Sequence, residues 1–166
     1  MAKVKRSQIL TYINTTPESP AILSSATATY VLLGDGIVSA KIGYNPKETE
    51  EQYIAEDSSR KSVDSFAETL PIEQTCKLTD PAFEFLDWLR LDRSVMGEAE
   101  TTLVHVWNYE TGGPTAAPAE EQKVCIAMEQ FGGAGGGSLG IKYTAYSIGT
   151  RAAGTFNTST KVFTAT

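Results

Sequence analysis

Three glycines carry the sharpest chemical signal in the chain. Gly135, Gly137 and Gly140 match G-x-G-x-x-G, the spacing that lets a backbone approach a pyrophosphate. That chemistry requires the motif to follow a strand and to open a helix whose N-terminus faces the phosphates. Gly140 instead leads into IKYTAYSI, which alternates like a strand, and no Gly-Lys-Ser/Thr follows. The pattern therefore predicts a flexible connection between two strands.

The chain has a single histidine, His105, set between Leu103 and Trp107 in an alternating run. That setting predicts a packed strand residue. Any Ser–His–Asp or Cys–His nucleophile would rest on this one imidazole, and a zinc site needs several Cys or His ligands. Cys76 and Cys125 lie far apart and fit no small disulfide scaffold, so free thiols in a reducing compartment are expected. Carboxylates crowd Glu48–Asp57 and Glu98–Glu100, where acidic runs usually face solvent. No catalytic, cofactor-binding or metal-ligating residue is expected: the chain reads as non-catalytic and without a cofactor. A contrasting reading takes Trp107, Tyr109 and Tyr143 as a stacking platform in a carbohydrate-binding β-sandwich.

Composition narrows the partners. The 166 residues are 41% hydrophobic and 20% charged, with 20 acids against 14 bases and a net charge of −6. A surface that holds nucleic acid needs clustered Lys and Arg, and the N-terminal Lys3, Lys5 and Arg6 form only a small cluster. The N-terminus lacks the apolar run of a signal peptide, and no stretch approaches a membrane span.

The best-defined element is Asp80–Leu91, DPAFEFLDWLRL. Asp80 suits the N-cap and Pro81 the first helical position. At about 100° per residue, Trp88, Phe85, Leu89, Ala82 and Leu86 sweep an apolar arc of roughly 160°. That arc predicts Phe85, Leu86, Trp88 and Leu89 as the core face of the helix. Phe83 and Leu91 point elsewhere and need a second surface, either another subunit or a loop of the same chain.

Around the helix the chain reads as strands: Val4–Ile13, Thr29–Leu33, Ile37–Tyr44, Ser65–Cys76, Glu100–Tyr109, Gln122–Phe131, Leu139–Ile148 and Gly154–Thr164. Pro71 marks an edge or a bulge. Thr15–Ala28 and Thr111–Pro118 read as irregular loops. Asn45–Val63 is acidic with little to bury except Tyr53 and Ile54, which suits a projecting hairpin or long loop. Many short strands with turn signals between them predict a mainly β fold, an antiparallel sandwich or barrel with one flanking helix.

Four segments in order, YNPKETEEQYI (Tyr44–Ile54), LTDPAFEFLDWLR (Leu78–Arg90), FGG (Phe131–Gly133) and GTFNTSTKVFTA (Gly154–Ala165), resemble the major tail protein, or tail tube protein, of long-tailed bacteriophages with non-contractile tails. The resemblance runs from about Leu33 to the end of the chain. It implies a single tail-tube-like domain over residues 1–166, a β-sandwich with Asp80–Leu91 as its flanking helix and residues 45–63 as an arm reaching an adjacent ring. It implies stacked hexameric rings that form a hollow tube for DNA, which passes transiently and without specific binding. The implied partners are further copies of the chain, a tape measure protein, a tail terminator and distal tail or baseplate proteins. The implied location is the virion tail, after synthesis in the host bacterial cytoplasm, with no membrane contact. The same fold serves contractile tails, phage-derived particles and type VI-like secretion tubes, so fold alone does not separate these. The residues expected at subunit contacts are Tyr44, Asn45, Pro46, Glu48, Glu50, Glu51, Tyr53, Ile54, Phe83 and Leu91.

Overall fold

A computed structural model describes residues 2–110 and 112–166. Strand outweighs helix by 49% to 12%, and the strands form a curled antiparallel half-barrel. Of the two closures left open by the sequence, the fold takes the barrel-like one. The strands are β1 (Ile9–Asn14), β2 (Tyr30–Leu32), β3 (Ile37–Ala40), β4 (Pro46–Glu51), β5 (Arg60–Phe66), β6 (Thr69–Thr75), β7 (Glu100–Trp107), β8 (Ala117–Gly132), β9 (Gly140–Asn157) and β10 (Val162–Ala165). The single α-helix, α1, spans Pro81–Asp92. The main sheet runs β2-β1-β7-β8-β9-β6-β3, with β10 paired to β9, while β4 and β5 pair only with each other.

The long β8–β9 ribbon joins two cores. Val124 and Ile126 of β8 and Ile141, Tyr143 and Ala145 of β9 pack beneath α1 with Ile13, Ile72 and Leu103. Near the other end of the same ribbon, Ala117, Ala119 and Phe156 pack with Tyr12, Tyr30, Val104 and Val106. Register shifts at Gln122/Val124 and Met128/Gln130 interrupt the ladder. Such bulges bend a strand and increase its twist, which lets one ribbon curl around both cores. Neighbouring residues feed opposite cores, as Ile13 and Tyr12 do, because strand side chains alternate.

Three sequence expectations are refined here. Gly154–Thr164 is not one strand: β9 runs to Asn157, and β10 returns after a turn whose Ser159 and Thr160 amides donate to Asn157 Oδ1. Gly154 sits where β10 leaves no room, since a Cβ there would lie 2.1 Å from the Thr164 carbonyl oxygen. β8 starts at Ala117, inside the expected loop, whose first residue, Thr111, lies outside the described residues. Pro71 is not on an edge strand; it faces a gap in the β3–β6 ladder between the Ala40–Ile72 pair and the isolated Gly43–Thr69 bridge, where no amide donor is required.

The helix is capped as its sequence predicts. Asp80 Oδ1 accepts the Ala82 amide at 3.1 Å, and Arg93 closes the C-terminus in the left-handed region at φ 52°. Its orientation differs from the expected one. Ala82, Phe85, Leu86 and Leu89 are buried, but Trp88 is 54% exposed, and Phe83 is half-buried against the core beneath α1, the upper of the two. The helix is thus rolled toward its Phe83 side, because Arg90, Phe83 and Asp87 occupy the arc next to Leu86 and are the partly covered flank. Arg90 can tolerate that flank: it pairs with Asp87 at 2.6 Å and lies 3.9 Å over the Phe131 ring. Trp88 is therefore not a core residue, and Phe83 finds its second surface within its own subunit. Leu91, 60% exposed, does not.

Two substitutions check this orientation by thermal or urea unfolding. Leu86→Ala should lower stability by about 2–5 kcal/mol. Trp88→Ala, at a half-exposed position, should cost less than about 1 kcal/mol.

Candidate assembly surfaces

The residues best equipped for chemistry are buried, and each has a structural partner. His105 Nδ1 lies 3.1 Å from Thr11 Oγ1, and its ring stacks on Trp107. Burial, with a smaller contribution from Arg6, lowers its pKa to about 4, so the ring is neutral near pH 7. Glu121 is fully buried and joins no ion pair among the described residues. Its Oε1 accepts the Tyr30 hydroxyl, and its Oε2 accepts the Ser24 amide at 2.6 Å. Desolvation and the Glu121 contact hold the Tyr30 phenol well above its usual range. This cluster ties the 15–29 loop, with its buried Ala21, across the second core. Sequence reasoning missed it, because a glutamate alternating with Ala117 and Ala119 gives no sign of burial beyond its strand phase. Cys76 and Cys125 are free, and burial raises both thiol pKa values.

Two patterns considered in the sequence do not make sites. Gly135 and Gly137 lie in the connection from β8 to β9, and Gly140 begins a strand. The proposed aromatic platform is not assembled: Tyr143 is fully buried in the upper core, Trp107 is half-buried beside His105, and only Tyr109 is exposed.

What the fold leaves outside is more informative. β4 and β5 form a hairpin of exposed and half-exposed residues, longer at its second strand than the expected 45–63 arm. An isolated two-stranded hairpin is marginally stable in water, so this arm lacks a covering surface. Its base is pinned: Asn45 Nδ2 donates to the Ala67 carbonyl at 3.0 Å and to Thr69 Oγ1 at 3.1 Å, and Tyr44 meets Phe66 edge-on. Pro46 starts the ladder opposite Phe66. Glu48, Glu50 and Glu51 line one strand, and Ser59 Oγ donates to Glu50 across the turn. Tyr53 is 56% exposed at the tip, and Ile54 is wholly exposed. The expected contact residues of the arm thus lie together on one projection, about 20 Å from base to tip by strand rise. Phe83 and Leu91 lie on the helix and belong to a different surface.

A second open feature flanks α1. A groove of about 710 Å3 separates the helix from the 15–19 loop, with Trp88, Phe85 and Pro17 as its apolar floor. Trp88 stacks on Phe85 at a centroid distance of 6.3 Å. Glu18, Glu84, Asp92 and Glu98 stand around it, and none joins an ion pair among the described residues. A second groove, of about 550 Å3, lies between β1–β2 and the β3 edge, lined by Leu10, Leu32, Val38, Arg6 and Lys41. Both edges expose unpaired backbone groups, the usual template for another strand.

Comparison with known proteins adds the fold relationship. No family model and no curated protein sequence matches the chain. Among solved structures, the chain is similar to a protein from the tail of an empty GTA (gene transfer agent) particle determined by helical refinement with C6 symmetry. The match has a TM-score of 0.61 at 10% identity and covers 90% of this chain and 98% of the other. At that identity the two share a fold, over nearly the full length of each.

The buried imidazole generates a pH prediction. Unfolded, His105 binds a proton near its ordinary 6.5; folded, only near 4. The unfolded state therefore holds more protons between these values, and stability rises with pH across that window. Acidification from 6.5 to 4 should remove on the order of 3 kcal/mol through this residue. His105→Gln should show a flatter stability–pH curve than the wild type over that window; parallel curves would refute the assignment.

Proposed function

We propose that the chain is a structural subunit of a phage-like tail tube, with all 166 residues forming one tail-tube domain. Six copies close into a ring, and rings stack into a hollow tube through which DNA passes. The observation that carries this reading is the shared fold, over 90% of the chain, with a component of a C6-symmetric tail. The segment resemblance to tail tube proteins of non-contractile phage tails supports it independently and favours that tail type.

The unsatisfied features fit such an assembly. The projecting β4–β5 arm has polar strands and a greasy tip, so it gains by packing on a neighbouring ring. The open edges of β2 and β3 gain by meeting strands of adjacent subunits. Head-to-tail contacts between copies generate rings when the rotation closes and filaments when it does not. Each subunit adds a net charge of −6, so the tube repels phosphates rather than retaining them. In this reading the chain is not an enzyme and takes no cofactor. Its other partners are a tape measure protein inside the tube, a terminator at one end and distal tail proteins at the other, in the virion tail.

Negative-stain microscopy of concentrated protein tests the reading. Rings or tubes of constant width are the expected result, and small particles at every concentration, even with the tape measure protein present, would rule it out. Replacing Glu48–Asp64 with a two-residue turn between the facing Lys47 and Ser65 should leave the subunit folded but shorten or abolish tubes. Tubes of unchanged length would remove the arm from the assembly.

A further inference from the structure

The groove beside α1 and the N-terminal segment are complementary, and they lie at opposite ends of strand β1. The groove opens where β1 ends, at Thr15 and Thr16. Its apolar floor centres on Trp88, and Glu18, Glu84, Asp92 and Glu98 surround it without cations. The segment that precedes β1 has the opposite character. Ala2–Lys5 is exposed and outside any helix or strand; it carries Lys3 and Lys5, neither in an ion pair among the described residues, around Val4, which is 60% exposed. Arg6 adds a third cation, whose guanidinium is bonded, among the described residues, only to the Ile9 and Ala40 carbonyls.

We propose that the groove between α1 and the 15–19 loop receives the N-terminal segment of a second copy, with Val4 against Trp88 and Lys3 and Lys5 among the groove carboxylates. This inference rests on the tail-tube reading and names one of its subunit contacts. The segment cannot fill the groove of its own subunit. A 3-10 turn, Arg6–Gln8, fixes its root: the Gln8 amide donates to the Lys5 carbonyl at 3.0 Å, and the Lys5 amide donates to Gln8 Oε1 at 2.8 Å. From there Val4 reaches only about 4 Å and Lys3 about 7 Å, whereas the groove lies about 20 Å away along β1. Donor and acceptor at opposite ends of one strand make a head-to-tail contact. The arm tip is a poorer occupant, because Glu50, Glu51 and Asp57 would meet four carboxylates, and the tip's Arg60 is already paired with Glu56. A contact between exposed charges also weakens as salt rises.

A charge swap tests the pairing. The wild type, Lys3→Glu/Lys5→Glu, and that variant combined with Glu84→Lys/Glu98→Lys are compared by microscopy and sedimentation, with circular dichroism confirming folded subunits. Tubes from the wild type, none from the first variant and tubes again from the combined variant are the expected result. Tubes from the first variant, or no recovery in the second, overturn the docking while leaving the tail-tube reading intact. Absence of rings and tubes from the wild type defeats that reading instead. A peptide titration then decides the docking alone: Ala-Lys-Val-Lys-Arg-Ser-Gln should shift the fluorescence of the folded chain, with no shift in Trp88→Phe. Glu84→Lys/Glu98→Lys should weaken binding about tenfold. Equal binding of a peptide with both lysines replaced by glutamate overturns it.

Discussion

One continuous hydrogen-bonded ribbon, β8 with β9, underlies everything else in the fold. Its 16- and 18-residue strands pair from Ala117–Phe156 at one end to Gly132–Gly140 at the other. Its register shifts at Gln122/Val124 and Met128/Gln130, and such bulges let a long ribbon bend. The upper half then offers α1 a surface, and the lower half wraps Phe156 against Tyr12 and Tyr30.

The polar groups in this fold follow from that closure. A carboxylate buried without a cation is costly unless its oxygens are hydrogen-bonded. Glu121 meets the requirement through Tyr30 and the Ser24 amide, which fixes the 15–29 loop over the second core. The loop in turn forms one wall of the groove beside Trp88. A buried hydrogen-bonding requirement on β8 is thus transmitted to the outer shape of the subunit, and the surface proposed to meet another copy depends on it. The electrostatics are divided in the same way. Inside, His105 stays neutral and Tyr30 and Tyr143 are held protonated, while the Glu121 carboxyl is held by hydrogen bonds. Outside, carboxylates accumulate at the arm and the groove, while Lys3, Lys5 and Arg6 gather at the N-terminus.

Much of this was legible in the sequence. Asp80 and Pro81 announce the helix start because capping is a local hydrogen-bonding problem that a few adjacent residues solve. The alternation in Glu100–Trp107 gives both faces of β7, since strand geometry points successive side chains to opposite sides. The projecting arm was visible in its shortage of apolar residues, and Gly135 and Gly137 declared a connection because no helix follows them. The sequence also supplied, through four ordered segments, a resemblance consistent with the fold of a tail component.

Other features depended on tertiary packing. A helical wheel cannot say how far α1 rolls on its sheet, because that rotation is set by which flank the curled strands can reach. Trp88 and Phe83 exchanged roles for that reason. The split of Gly154–Thr164 into the end of β9 and a returning β10 depends on a close approach that only Gly154 permits. The burial of Glu121 depends on a loop nearly a hundred residues away in sequence. By itself the sequence determined where the helix begins and which stretches are extended, since capping and alternation are questions of neighbouring residues. Only the tertiary structure decided which side chains face water, because exposure is set by contacts between segments that no local pattern records.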